Sequence, residues 1–239
     1  MAKEVQKQER ALIVGAGRGL SASLARLFAA EGMQVALAAR HTDKLAGLAA
    51  ETRAKTYACD AADPASVDAL FESVTMDIGA PNIVIYNASN RGGRGPVTGL
   101  DPEAVRNALM ITAFGGFLVA QAAARRMIPA GGGTILLTGA SASVKGFPNS
   151  SSFAMGKFGL RGLAQSLARE LQPQNIHVGH FVIDGGIALL DGVDERAAAR
   201  GADGLLNPDA VAQAYLQLHR QHRSAWTWEI ELRPWVEKF

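Results

Sequence analysis

Three closely spaced glycines, Gly15, Gly17 and Gly19, follow the four apolar residues Ala11 to Val14 and precede Leu20, Leu24, Leu27 and Phe28 at helical spacing. A buried strand that feeds a helix through such a turn brings bare backbone N–H groups close to a ligand. The helix start adds partial positive charge. The chemistry this predicts is phosphate binding, and the expected ligand is a dinucleotide. The spacing reads G-x-x-x-G-x-S over Gly15, Gly19 and Ser21; the commoner G-x-G-x-x-G fails because Leu20 occupies its last place. A tight turn without a ligand would use the same glycines, so support has to come from residues further along.

The end of the second predicted strand supplies some. A carboxylate there would bind a ribose 2′-hydroxyl and repel a 2′-phosphate. This chain has Ala39 and then Arg40, with Arg18 in the glycine turn on the other side of the expected ribose. Two guanidinium groups with no acid between them suit a phosphate dianion. NADP(H) is therefore expected ahead of NAD(H), although both arginines would look the same lying in solvent. Asp60, closing the third strand, has the type and place to accept a hydrogen bond from an adenine amino group, or to cap its own loop.

The elements that must position these residues alternate along the chain. Strands are predicted at 11–14, 35–39, 56–59, 83–86, 134–138, 176–183 and 226–232, with helices between them, several opened by Asp-Pro or Asn-Pro pairs. Alternation of this kind predicts an α/β fold, a Rossmann-type doubly wound parallel sheet of about seven strands with helices on both faces. A flexible tail is expected over 1–10 and a single dinucleotide-binding domain over 11–239. Ligands of such sheets sit outside the carboxyl ends of the strands, which makes 89–99 and 185–206 candidate substrate walls, the second being the substrate loop. Asp184 is the most suggestive carboxylate beside that loop, and Tyr86 the one tyrosine near the carboxyl edge, where a core role is expected.

Composition excludes other classes. At 239 residues with 48% hydrophobic content the chain can bury a sizeable core, and a formal charge of +2 without a basic stripe argues against nucleic acid. The single cysteine, Cys59, excludes an intramolecular disulfide and a cysteine-based metal cluster. His177 and His180 point to opposite faces of a strand, so no metal site is expected, and His219 and His222 are assigned to a solvated helix end. The first ten residues lack the apolar segment of a secretory signal. No run reads as long enough to span a bilayer. A cytoplasmic protein without membrane contact is expected.

Taken together, Gly15-x-x-x-Gly19-x-Ser21, Asp60, Asn87-Ala88-Ser89 and Lys157 resemble the short-chain dehydrogenase/reductase family across almost the whole chain. The resemblance implies a nicotinamide cofactor held by Gly15, Gly17, Arg18, Gly19, Leu20, Arg40, Asp60, Asn87, Ala88, Lys157, Gly185 and Ile187. It also implies a small-molecule substrate and assembly as a homodimer or homotetramer through the two long helices and the last strand. The family's chemistry uses a tyrosine with a lysine four residues later, and here that pair reads Phe153 and Lys157. Phenylalanine has no proton to give. With the turn 146–148 kept in register, the family's helper serine falls on Ala140 and its proton-relay asparagine on Thr112. The threonine that often holds the nicotinamide amide falls on Ala188. Of the catalytic set only Lys157 remains, with Ser141, the serines at 150–152 and Asp184 as weak candidates to replace the lost donor.

Three readings follow. The first is an NADP(H)-dependent carbonyl or alcohol oxidoreductase with a non-standard proton donor. The second is a nucleotide-holding protein without turnover, acting as a sensor or partner subunit. The third is hydride transfer to an activated substrate, such as an iminium, that needs little acid help. The apolar stretch 186–190 is expected to act as a lid or a subunit contact. For the aromatic tail, with Trp226, Trp228, Trp235 and Phe239, subunit contact is the expected role.

Overall fold

Short strands that are apolar on both faces can be satisfied only inside a sheet covered on both sides. In the computed structural model, which describes residues 8–190 and 194–237, five such strands and two more polar edge strands pair in parallel in the order β3-β2-β1-β4-β5-β6-β7. They are β1 (Arg10–Val14), β2 (Gln34–Ala39), β3 (Lys55–Ala58), β4 (Ile83–Tyr86), β5 (Gly133–Thr138), β6 (Ile176–Ile183) and β7 (Glu229–Leu232). The helices are α1 (Leu20–Ala30), α2 (Ala46–Thr52), α3 (Pro64–Ile78), α4 (Pro102–Leu109), α5 (Gly115–Ala130), α6 (Ser151–Leu171), α7 (Glu195–Arg200) and α8 (Pro208–His219).

Alternate residues of the central strands feed two cores. Leu12, Val14, Val84 and Tyr86 pack with α3, α5 and α6 on one face. Ala11, Ile13, Ile83 and Ile85 pack with α1 and α8 on the other. The strand order reverses between β1 and β4, so the chain leaves these two neighbours toward opposite faces. A crevice opens at their carboxyl ends, the place such sheets offer a ligand.

Several expectations need correction. The strand begins at Arg10, inside the expected tail, and Glu9 is already fixed by an ion pair with Arg220 at 2.8 Å and a hydrogen bond with His219 at 2.9 Å. His219 also meets Thr134 Oγ1 at 2.8 Å, so it stands at a half-buried junction instead of a solvated end. The loop 185–206 contains α7, capped by Asp194, whose side chain accepts from the Arg196 N–H at 3.1 Å. β7 is shorter than expected because Trp226 stacks on His177, ring centres 4.6 Å apart, and lies outside the ladder. Trp228 packs on the core, which leaves Trp235, at 82% exposure, as the open tryptophan among the described residues. Phe239 lies outside those residues.

The helical stretch from Pro102 to Ala130 also departs from expectation, being continuous and apolar enough to cross a membrane by length and composition. Here it is a core helix: 56% of its most apolar 18-residue window is buried within the fold. It bulges into a single wider π-helical turn at Met110–Phe114, and π-bulges commonly mark functional positions.

Candidate functional site

The glycine turn leaves β1 with Gly15 at φ +83, where a side-chain carbon would run into the backbone of Ala88 at the end of β4. Gly19, at φ +75, caps α1. Around Gly17 nothing lies within 4 Å of where a side chain would start. The N–H groups of Gly15 and Ala16 both donate to Ala38 O at 2.9 Å, pinning the turn to β2. Leu20 is buried in the core, so only its backbone can face a ligand.

Ser21 does more than substitute for a small residue. Its hydroxyl donates to Gly15 O at 3.2 Å and accepts from Asn87 Nδ2 at 2.6 Å, tying the turn to the end of β4. The Asn87 amide is thus engaged in bracing the loop. Spacing alone did not reveal this, because the contact joins residues 66 apart.

A cavity of about 590 Å³ opens above the turn, lined by Gly15, Gly17 and Arg18, by Arg40, His41 and Lys44 after β2, and by Asp60 and Asn87 to Ser89. Arg18 and Arg40 are brought to one cavity. Among the described residues Arg40 has no carboxylate partner. One carboxylate oxygen of Asp60 accepts from the Ala62 N–H at 3.0 Å, so it caps its own loop while remaining on the cavity wall. Gly185 and Ile187 are not part of that lining. Gly185 packs against Pro234, and Ile187 pairs with Leu206 and joins the second core. The following residues Ala188 and Leu189 come up against Gly19.

At the other end of the crevice α6 presents Phe153 and, one turn later, Lys157. Lys157 is 3% exposed and donates to Thr138 O at 2.7 Å. Burial, with the nearby charge of Arg91 adding to it, pushes its pKa down to about 7. Its Nζ lies 5.8 Å from the Phe153 ring centre, and the Arg91 guanidinium carbon lies 4.7 Å from that same centre. Thr112 sits at the π-helical turn, where its hydroxyl accepts from the Asn90 N–H at 3.1 Å.

The weak candidates fare differently. Asp184 Oδ2 is held by Lys145 and Arg233, each at 3.3 Å, which ties the loops on either side together. Ala140 precedes the short helical turn Ser141–Ser143, and its N–H donates to Ser143 Oγ at 3.1 Å. Ser152 is buried against Gly92. Tyr86 is fully buried and donates to Ile111 O, in keeping with a core role. The histidines of β6 are likewise structural: His180 bonds Glu229 at 3.0 Å and His177 bonds Thr227 O at 3.0 Å. No cluster of three metal-ligating side chains occurs among the described residues.

A crevice at the switch point of a doubly wound parallel sheet, with a glycine turn on one side and a buried lysine on the other, defines a Rossmann-type α/β protein. Comparison with known proteins narrows the class. A family model described as short chain dehydrogenase matches residues 9–188, and the chain belongs to that family. It is 30% identical over 173 residues to a D-threitol dehydrogenase of Mycolicibacterium smegmatis, a match covering 70% of this chain and 66% of that relative, just under two thirds of its length. A crystal structure of a short-chain dehydrogenase from Rhodopseudomonas palustris superposes with a TM-score of 0.81 at 35% identity, covering 95% of this chain and 99% of the other. A metagenomic short-chain oxidoreductase in complex with NADP also reaches 0.81, at 25% identity, over 95% and 98% of the two chains.

Proposed function

We propose that this chain is an NADP(H)-dependent oxidoreductase interconverting a carbonyl and an alcohol, in which Lys157 exchanges the proton. In this reading Phe153 and Ala140 stand in the family's tyrosine and serine places. The observation that carries it is Lys157 itself: buried, bonded to one backbone carbonyl, and with a pKa pushed to about 7. A general acid or base works best when its pKa lies near the working pH; Asp184 is already engaged by Lys145 and Arg233, and a serine hydroxyl is a weak acid.

The residues present fit the cofactor. The crowding that a side chain would cause at Gly15, against the open space at Gly17, makes a close backbone approach available to a pyrophosphate. Arg18 and Arg40 would hold a 2′-phosphate, and Asp60 and Ala88 would line the adenine and nicotinamide sides of the cavity. Once bound, the nicotinamide supplies or accepts hydride. The protein's own part is to orient the substrate oxygen toward Lys157 Nζ, shield it from water with Phe153, and move one proton at that nitrogen. NADP in one similar solved structure supports the choice of cofactor.

The apolar face of Phe153 favours a second reading, transfer to an activated substrate such as an iminium. The long helices leave Phe117 and Phe158 exposed, which supports assembly as a homodimer or homotetramer, measurable by sedimentation. The deciding experiment follows NADPH oxidation against a panel of carbonyls and imines, with NADPH affinity measured by calorimetry. Turnover lost in Lys157→Met supports the reading. NADPH binding without turnover on any compound overturns it in favour of a nucleotide-holding protein.

A further inference from the structure

Two cations share one aromatic ring beside the crevice. The Arg91 guanidinium carbon lies 4.7 Å and the Lys157 ammonium 5.8 Å from the centre of Phe153. Among the described residues neither is paired with a carboxylate, and the Asp184 carboxylate is already held by Lys145 and Arg233. Burial is the main cause of the lowered Lys157 pKa, and the like charge of Arg91 adds to it. An anion held beside them would relieve that repulsion.

The loop is built to keep Arg91 where it is. On one side, the Asn90 N–H donates to Thr112 Oγ1 at 3.1 Å and the Thr112 hydroxyl donates back to Asn90 O at 3.3 Å. On the other, the Gly92 N–H donates to Asn90 Oδ1 at 3.0 Å. Gly92 sits at φ +65, and a side chain there would strike Ser152 Oγ, so only glycine lets the loop lie this close to α6. The segment is therefore fastened before and after Arg91, and the ring restricts the guanidinium by cation–π contact. A planar fork held over an aromatic face keeps edge N–H donors for a two-point grip on a carboxylate.

We propose that Arg91 is the anion-recognition residue of the substrate pocket, and that the substrates are carbonyl or hydroxyl compounds bearing a carboxylate. This rests on reading the Phe153 shelf as the substrate end of the site. Phe153 then acts as the platform for the arginine.

Calorimetric titration of hexanoate, with hexanamide as its uncharged counterpart, tests this on the wild type, Arg91→Leu and Arg91→Lys. Each protein is titrated with and without saturating NADP⁺, and its melting temperature is recorded. Hexanoate is expected to bind at least about tenfold more weakly to Arg91→Leu, with Arg91→Lys intermediate and hexanamide unmoved by either change. Equal hexanoate affinity in wild type and Arg91→Leu overturns the proposal, as does wild-type protein that holds hexanamide as tightly as hexanoate. Failure of NADP⁺ to bind would instead overturn the redox reading, and the nucleotide-free titrations would still decide the role of Arg91. Should Arg91→Leu melt early, Arg91→Lys carries the comparison.

Discussion

The two ends of the crevice are built from different materials. At the glycine turn the proposed working groups are backbone amides, and the residues around them let backbone come close: Gly15 against Ala88, with Ser21 clamping Gly15 to Asn87. At the Phe153 shelf the proposed working groups are long side chains, Lys157 from α6 and Arg91 from a loop, and their properties come from what surrounds them. A site made of backbone is sensitive to the addition of one carbon. A site made of side chains is sensitive to the loss of a charge. Substitutions at the two ends should therefore fail differently.

The largest effect is expected at the shelf. Lys157→Met should lower kcat by roughly 100- to 10,000-fold, the range of general acid–base catalysis, while NADPH affinity falls by less than about tenfold. A comparable loss in both would make Lys157 a binding residue only, and the contrast between the two ends would collapse. Next comes Gly15→Ala. With φ at +83 and the Ala88 backbone in the way, it should cost about 1 to 3 kcal/mol, seen as a lower Tm together with weaker NADPH binding. Gly17→Ala, placed in open space, should keep the wild-type Tm. Equal Tm values for both variants would show that the turn is not held tightly against β4.

A smaller effect separates the ends by pH. In the folded protein Lys157 loses its proton near pH 7, whereas in the unfolded chain it does so near the ordinary lysine value of 10.5. Between those values the unfolded chain binds more protons, so this group makes stability rise with pH, by up to about 1.4 kcal/mol per pH unit. Below pH 7 both states are protonated and the full cost of burying the charge remains. Urea titrations of nucleotide-free protein across this window should show the slope in wild type and its loss in Lys157→Met. Arg40→Ala should weaken NADPH about tenfold and leave NADH unchanged, sharpening the cofactor end by calorimetry. The least change is expected from Phe153→Tyr, which should leave NADPH affinity within about twofold, since the ring is not part of the glycine-turn cavity.

Sequence alone determined the alternation of strands and helices, the glycine turn and the approach of Arg18 and Arg40 to one place. It also placed Lys157 one turn beyond Phe153. These are local matters: period, steric permission at glycine, and the pitch of a helix. Only the tertiary structure decided that Ser21 reaches Asn87, that Asp184 is spent between Lys145 and Arg233, and that Arg91 settles over Phe153. An arginine followed by two glycines in a loop after a strand was the available signal for the last of these. Its meaning depended on which ring the loop would meet. Contacts between residues 39 or 66 positions apart are set by how the helices pack on the sheet, and no spacing rule along the chain reports that.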